Sequence, residues 1–366
     1  MIAKETTPDI LKTKQHFEIL DGLRGVAALS IVVFHFMEWI YSDPGKNFIG
    51  HGFLAVDFFF CLSGFVIAYA YDDRIEKMGL AAFFKSRLIR LHPLVIIGSV
   101  LGLAEFLFDP LTGNQEPYSA GKLMLLFFAS IFLIPLPIMK DRSFNLFGLN
   151  APSWSLFWEY VANIFYAFIL YRIARRYLLI ITMLAAVALC IVGYRSGNLL
   201  GGWAGSNFWD GFVRVSYSFS AGLLLFRSKW IISNKLGFTG LSVLLILAFI
   251  MPHFKWNYIA ELIVVLFYFP LIVALGAGST LSPAMKKICI FSGKISYPLY
   301  MTHYAGIWIF SNYYMRNKPD TDKLTLVIIS ATILLVCFAS FVMVFLDEPI
   351  RKYLNKKRLR NKLKEV

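Results

Sequence analysis

Arg24 and His35 stand eleven residues apart in LDGLRGVAALSIVVFHFMEWI (20–40), a run long and apolar enough to cross a bilayer. On a helix that spacing is three turns plus about 20°, so the two side chains share a face and lie about 16 Å apart along the axis. An imidazole titrates near neutral pH and can take a hydroxyl proton or carry an acyl group. A guanidinium binds phosphate or carboxylate as a fork. The same two chemistries recur further on. Arg87 and Arg90 are three apart in FFKSRLIRLHP, adjacent on a helix. Glu159 follows Trp154 and Ser155 in PSWSLFWEY, Asp57 and Ser63 lie in VDFFFCLSGF, and GKISYPLYMTHY carries Tyr300 and His303.

The elements that must hold these groups are membrane helices. The chain has 366 residues, 58% hydrophobic, 17% aromatic and only 16% charged, a composition unlike that of soluble domains. Eleven apolar segments are visible, at 21–40, 52–71, 90–108, 121–138, 153–171, 177–195, 211–226, 236–254, 257–277, 292–312 and 324–347. The fold class is therefore an all-α membrane protein, and the first run reads as a retained span because it is too long for a signal-peptide core. A net charge of +14 does not point to nucleic acid, because the basic residues cluster in short loops and at the C-terminus. Cys61, Cys190, Cys289 and Cys337 are scattered along apolar sequence, which argues against a disulfide framework or a metal site.

Loop charges set an orientation. Lys4, Lys12 and Lys14 place the N-terminus in the cytoplasm, and the basic stretches at 72–90, 171–176, 227–230, 285–287 and 351–364 should return there. Three apolar segments between 90 and 172 break that parity. The weakest is 121–138, interrupted by Pro135 and Pro137. If it is re-entrant or interfacial, about ten transmembrane helices remain in one bundle, with both termini cytoplasmic. The organisation is then a cytoplasmic segment at 1–20, a membrane domain at 21–347 and a basic cytoplasmic tail at 348–366.

Depth follows from the helical rise. Arg24, Arg87 and Arg90 fall near the cytoplasmic face, whereas His35, Asp57, His303 and Glu159 fall in the outer half, Glu159 about 9 Å below the surface if its helix begins there at Ser153. Each group has a plainer explanation: interfacial anchoring for the arginines, core packing for His35, capping or ion pairing for Asp57, aromatic anchoring for Trp154, Tyr297 and Tyr300. The sorting by depth is what argues for function, since intramembrane ionisable groups are expensive.

In that order along the chain, the segments resemble the acyltransferase 3 family of integral-membrane acyltransferases. LDGLRGVAALSIVVFH is similar to its Arg, ten residues, His signature, matched by Arg24 and His35; Ser63, Gly64 and Phe65 resemble its Ser-Gly-Phe segment. Arg87 and Arg90 resemble its Arg-x-x-Arg stretch, with His92 where an aromatic is more usual. WSLFWE, with Trp154, Ser155 and Glu159, resembles its Trp-Ser-Leu-x-x-Glu motif, and ISYPLYMTH and FLDEPIRK resemble its last two spans. The resemblance implies about ten core spans and a multi-pass protein of the cell (inner or plasma) membrane. It implies transfer of an acyl group, usually acetyl, from cytoplasmic acyl-CoA to a hydroxyl of a carbohydrate or lipid-linked glycan at the outer side. Acyl-CoA is then a donor substrate, and no bound cofactor is expected. Many members continue into an extracytoplasmic hydrolase domain, whereas this chain stops 19 residues after Asp347, so transfer is expected to finish in the membrane domain or pass to a separate protein.

The expected division of labour puts donor phosphates on Arg24, Arg87 and Arg90. His35 is the base or acyl carrier and Glu159 its orienting carboxylate, with Ser63, Trp154, Ser155, Tyr300 and His303 at the substrates. Tyr300 and Ser155 are the candidate oxyanion donors. A proton-coupled transporter is the rival reading, using Glu159, Asp57 and the histidines as a relay. It leaves the arginine cluster unexplained.

Overall fold

Lipid offers no hydrogen-bond partners, so a long apolar run satisfies its backbone internally as a helix. The computed structural model describes residues 17–112 and 118–364, with side chains placed as far as 358. Each of the eleven apolar segments contains a helix: α1 Glu18–Ile40, α2 Ala55–Tyr71, α3 Leu80–Phe108, α4 Ala120–Ile131, α5 Ser153–Phe168, α6 Arg175–Ser196, α7 Phe208–Arg227, α8 Gly237–Phe249, α9 Asn257–Gly278, α10 Pro283–Asn317 and α11. Helix α11 runs from Thr321–Val342 through a π-turn at Met343–Asp347 into Glu348–Lys364, so the basic tail continues a helix and the boundary at 348 is one of composition. Lys4, Lys12 and Lys14 lie outside the described residues.

Six of the helices (α1, α2 counted from Gly52, α3, α6, α9 and α11) are long and apolar enough to cross a membrane. Helix α4 has 12 residues and α8 has 13, about 18 and 20 Å against a hydrocarbon core about 30 Å thick. The path around α4 turns back on itself. Tyr118, just before α4, donates from its hydroxyl to Asp141 at 3.1 Å, so the two ends of the 121–138 segment are neighbours. After α4 the chain reverses at Leu133 (φ 54°) and runs past Pro135 and Pro137 to a tight turn at Ser143 and Phe144 (φ 53° and 52°). Left-handed backbone at non-glycine residues costs about 1–3 kcal/mol each, so the surrounding packing has to hold it.

From there the chain does not return to a surface. Every residue from Asn145 to Leu156 is buried. This loop lies against α3, where a Cβ on Gly102 would come within 1.7 Å of the Leu149 carbonyl oxygen, so only glycine admits it. Asn150 donates from Nδ2 to the Met301 carbonyl of α10 at 3.3 Å. Helix α1 packs along α10 over a long contact. A Cβ on Gly25 would meet Ser292 Oγ at 1.9 Å, and this close crossing sets Arg24 against α10. Pro298 removes one rung from the α10 ladder beside the stretch that carries Tyr300 and His303.

Candidate active site

Two chambers lie back to back in the bundle. One, of about 330 Å³, is lined by all three arginines singled out in the sequence, together with Ser63, Ser155 and Glu159. The other, of about 300 Å³, holds His35 and Trp154. Val56 and Tyr300 line both, so Tyr300 stands at the partition.

The first chamber is cationic. Arg24, Arg87, Arg90, Lys294 and Arg351 face Asp21, Glu159 and Asp347, which leaves two positive charges in excess. Arg24 is held rather than snorkelling: Nε donates to Ser296 Oγ at 2.9 Å, Nη2 to the Gly293 carbonyl at 2.8 Å, and Asp21 lies 3.0 Å away. Arg87, buried, donates to Glu159 Oε1 at 2.7 Å, and the same oxygen accepts from Ser63 at 3.1 Å. Arg90 has no hydrogen bond or ion pair to another described residue, which leaves its guanidinium open to an anion. Asp347 pairs with Arg351 at 2.5 Å and ends the π-turn of α11, a local widening that recurs at functional sites.

The second chamber carries the imidazole. His35 Nδ1 lies 2.7 Å from Glu38 Oε1, one turn on along α1. With Nδ1 protonated toward that carboxylate, Nε2 keeps its lone pair, which is the tautomer a general base needs. His303 stacks on His35 with ring centroids 5.4 Å apart and lies edge-on to Tyr304. Its own Nδ1 is 2.9 Å from the Tyr300 carbonyl and 3.1 Å from that of Leu299, so it is anchored to backbone. His303 lines neither chamber; it braces the imidazole that does. Trp154 is buried under Arg214, whose guanidinium carbon is 5.2 Å from the ring, so it is no interfacial anchor.

At the partition Ser155 Oγ and Tyr300 Oη are 2.7 Å apart, and Ser155 also donates to the Pro152 carbonyl at 3.1 Å. A hydroxyl has one proton. With the Ser155 proton on Pro152, Tyr300 donates to Ser155, and it must turn from that bond to serve an oxyanion.

Two positional expectations are corrected. Glu159 lies in the cationic chamber, paired with Arg87 and grouped with the arginines rather than with the histidines. For the same reason Glu159 does not reach His35, whose carboxylate partner is Glu38. Asp57 is taken up in a buried pair with Arg214 at 2.6 Å. Three site residues escaped the sequence reading. Glu38 had the signal of its i+3 spacing from His35, and Arg214 that of a charge inside the segment 211–226. Arg142, tied to Glu105 at 3.0 Å, lies in a loop that nothing in the pattern marked.

Fold and site together define a helical multi-pass membrane protein with a cationic pocket set back to back with a histidine–carboxylate pair. The chain belongs to the acyltransferase 3 family, whose acyltransferase-domain model matches residues 17–346. It is 36% identical over 162 residues to "Protein 2 in picA locus" of Rhizobium radiobacter, covering 42% of this chain and 82% of that protein. It is 26% identical over 369 residues to the O-acetyltransferase OatA of Staphylococcus aureus (strain NCTC 8325 / PS 47), covering 91% of this chain and 57% of OatA. A putative O-acetyltransferase of S. aureus strain COL is 26% identical over 388 residues, covering 93% of this chain and 58% of that protein. The chain thus spans little more than half the length of those two O-acetyltransferases. No solved structure matches it.

Proposed function

We propose that this protein is an O-acyltransferase of the cell membrane. It takes an acyl group, acetyl in the first instance, from acyl-CoA in the cationic chamber and passes it to a hydroxyl of a carbohydrate or lipid-linked glycan in the histidine chamber. The observation that carries this reading is the placement of Tyr300, which lines both chambers, so a thioester advanced from one side reaches groups belonging to the other. The donor's phosphates rest on Arg90 and Arg24, and Arg87 is organised by Glu159. The basic loops support an orientation with this chamber toward the cytoplasm, and with 121–138 re-entrant the reading has ten crossings and both termini inside.

His35 Nε2 removes the proton from the acceptor hydroxyl as its oxygen attacks the thioester carbonyl carbon. Tyr300 turns from Ser155 to donate to the oxyanion. The carbon–sulfur bond then breaks, the imidazolium returns its proton to the thiolate, and CoA leaves on the side it came from. In the other form of the same chemistry, Nε2 itself holds the acyl group between the two half-steps. Glu38 stabilises the positive charge on the ring in either case.

A proton relay fits the geometry less well. Asp57 and Glu159, its two acids, are each held by an arginine in separate places and not strung along one path. The test is transfer of label from [acetyl-¹⁴C]acetyl-CoA to a glycan extract by the purified protein. Label in the glycan that is lost in His35→Ala supports the reading, and no transfer by folded wild type overturns it.

A further inference from the structure

The donor proposed above is larger and more highly charged than the chamber that receives it. The cationic chamber holds about 330 Å³. That is near the lower end of the roughly 300–1,000 Å³ of pockets for drug-sized ligands, and an acyl-CoA is bulkier than those. The charges do not close either. A phosphomonoester carries about −1.5 to −2 at neutral pH and a pyrophosphate about −2 more, whereas the lining side chains leave two positive charges in excess. Part of the nucleotide therefore lies beyond the mouth and meets cations there.

The mouth continues onto the tail helix. Arg351 lines the chamber and stands on the helical extension Glu348–Lys364, which packs against α3, the helix of Arg87 and Arg90. Along this extension Arg351, Leu354 and Arg358 are half-buried, whereas Lys352, Asn355, Lys356 and Lys357 are exposed. Positions 351, 354 and 358 fall within about 60° on a helix, so they mark the side turned to the bundle. Arg358 is two turns past Arg351, about 10 Å further from the chamber and about 20° off its line. Arg351 is paired with Asp347. Arg358 has no hydrogen bond or ion pair to another described residue. A half-buried guanidinium keeps its charge and calls for an anion.

Resting on the acyltransferase reading above, we infer that the tail helix is the docking surface for the 3′-phosphoadenosine end of the donor, whose 3′-phosphate pairs with Arg358. The pyrophosphate is then the part that reaches Arg24 and Arg90, and the pantetheine arm carries the thioester on to Tyr300. Arg358 holds the donor and takes no part in transfer.

The experiment measures Kd for acetyl-CoA and for acetyl-3′-dephospho-CoA with the purified full chain in phosphatidylcholine nanodiscs, at one salt concentration. Wild type should bind acetyl-CoA about tenfold or more tighter than the dephospho form. Arg358→Gln should weaken acetyl-CoA about threefold to tenfold, the loss of one charge-assisted contact screened by partial exposure, and leave the dephospho form unchanged. Lys357→Gln removes the same charge about 100° around the helix and should bind both donors as wild type does. Equal affinity of wild type for the two donors overturns the inference, and that comparison depends on no variant's folding. So does an Arg358→Gln that weakens both donors alike, or a Lys357→Gln that loses as much, since either makes the tail a general field and not a phosphate site. If Arg358 meets lipid phosphate instead, Arg358→Gln matches wild type for both donors, and tryptic cleavage of the wild-type tail slows only when phosphatidylglycerol is added. That result overturns the inference too. All of these outcomes leave the acyltransferase reading standing. No binding of either donor to folded wild type would strike that reading itself, and the inference with it.

Discussion

Glu38 takes the place that Glu159 was expected to fill, and Glu38→Gln isolates its contribution. The substitution preserves the shape of the side chain and its ability to accept from His35 Nδ1, now 2.7 Å from Glu38 Oε1. It removes the negative charge that favours the imidazolium formed when Nε2 takes a proton. A hydrogen bond to a charged group contributes about 1.5–3 kcal/mol, against about 0.5–1.5 for a neutral one. The difference, about 1–2 kcal/mol, corresponds to a fall in kcat of roughly fivefold to thirtyfold. Glu38 side-chain exposure is 34%, which screens the pair and favours the lower end of that range. Acyl-CoA affinity should not change, because Glu38 lines the chamber opposite the arginines. Steady-state transfer to a saturating acceptor, beside a donor titration, reads both quantities. Wild-type kcat in Glu38→Gln would refute the argument that this carboxylate orients and charges the base, and weakened donor binding would refute the separation of the chambers.

Three further outcomes follow from the geometry. Glu159→Gln adds one net positive charge beside the donor site, so acyl-CoA should bind at least as tightly as to wild type and with a steeper salt dependence. The same variant should lower thermal stability by about 1–2 kcal/mol, since the buried Arg87 loses its ionic partner; tenfold weaker binding would contradict this. Tyr300→Phe should retain the fold and donor affinity while transfer falls about tenfold to a hundredfold, the loss expected for one oxyanion donor with a partial substitute in Ser155. Cysteines at Gly121 and Lys140, both exposed, in a cysteine-free background should react with an impermeant thiol reagent from the same side of the membrane. Labelling from opposite sides would make 121–138 a crossing.

The helical class, the positions of the eleven segments and the grouping of Arg24, Arg87 and Arg90 were legible in the sequence, because hydropathy and helical period act locally. Arg24 and His35 also lead to distinct chambers on α1, as their separation along the axis implied. Which partners a polar group meets was less legible. Ser153 begins α5 inside the protein, after a loop that Gly102 admits and Asn150 fastens, and nothing local in the sequence showed that Glu159 would join the arginines and not His35. Arg142 was invisible for a related reason. Its position depends on two left-handed residues, Ser143 and Phe144, and on Glu105 from a distant helix, none of which leaves a periodic trace. Arg214 needed only the rule already applied to Glu159, that a charge inside an apolar segment requires a partner.

The central claim is that donor binding and proton transfer belong to opposite chambers joined at Tyr300. Titrating Arg90→Ala and His35→Ala with a non-hydrolysable acetyl-CoA analogue, each beside a turnover assay, tests it most directly. Arg90→Ala should raise the analogue's Kd about tenfold to a hundredfold, the loss of one charge-assisted contact. His35→Ala should bind the analogue as wild type does and transfer nothing. Normal analogue binding in Arg90→Ala together with lost binding in His35→Ala would reverse the two chambers and contradict the account.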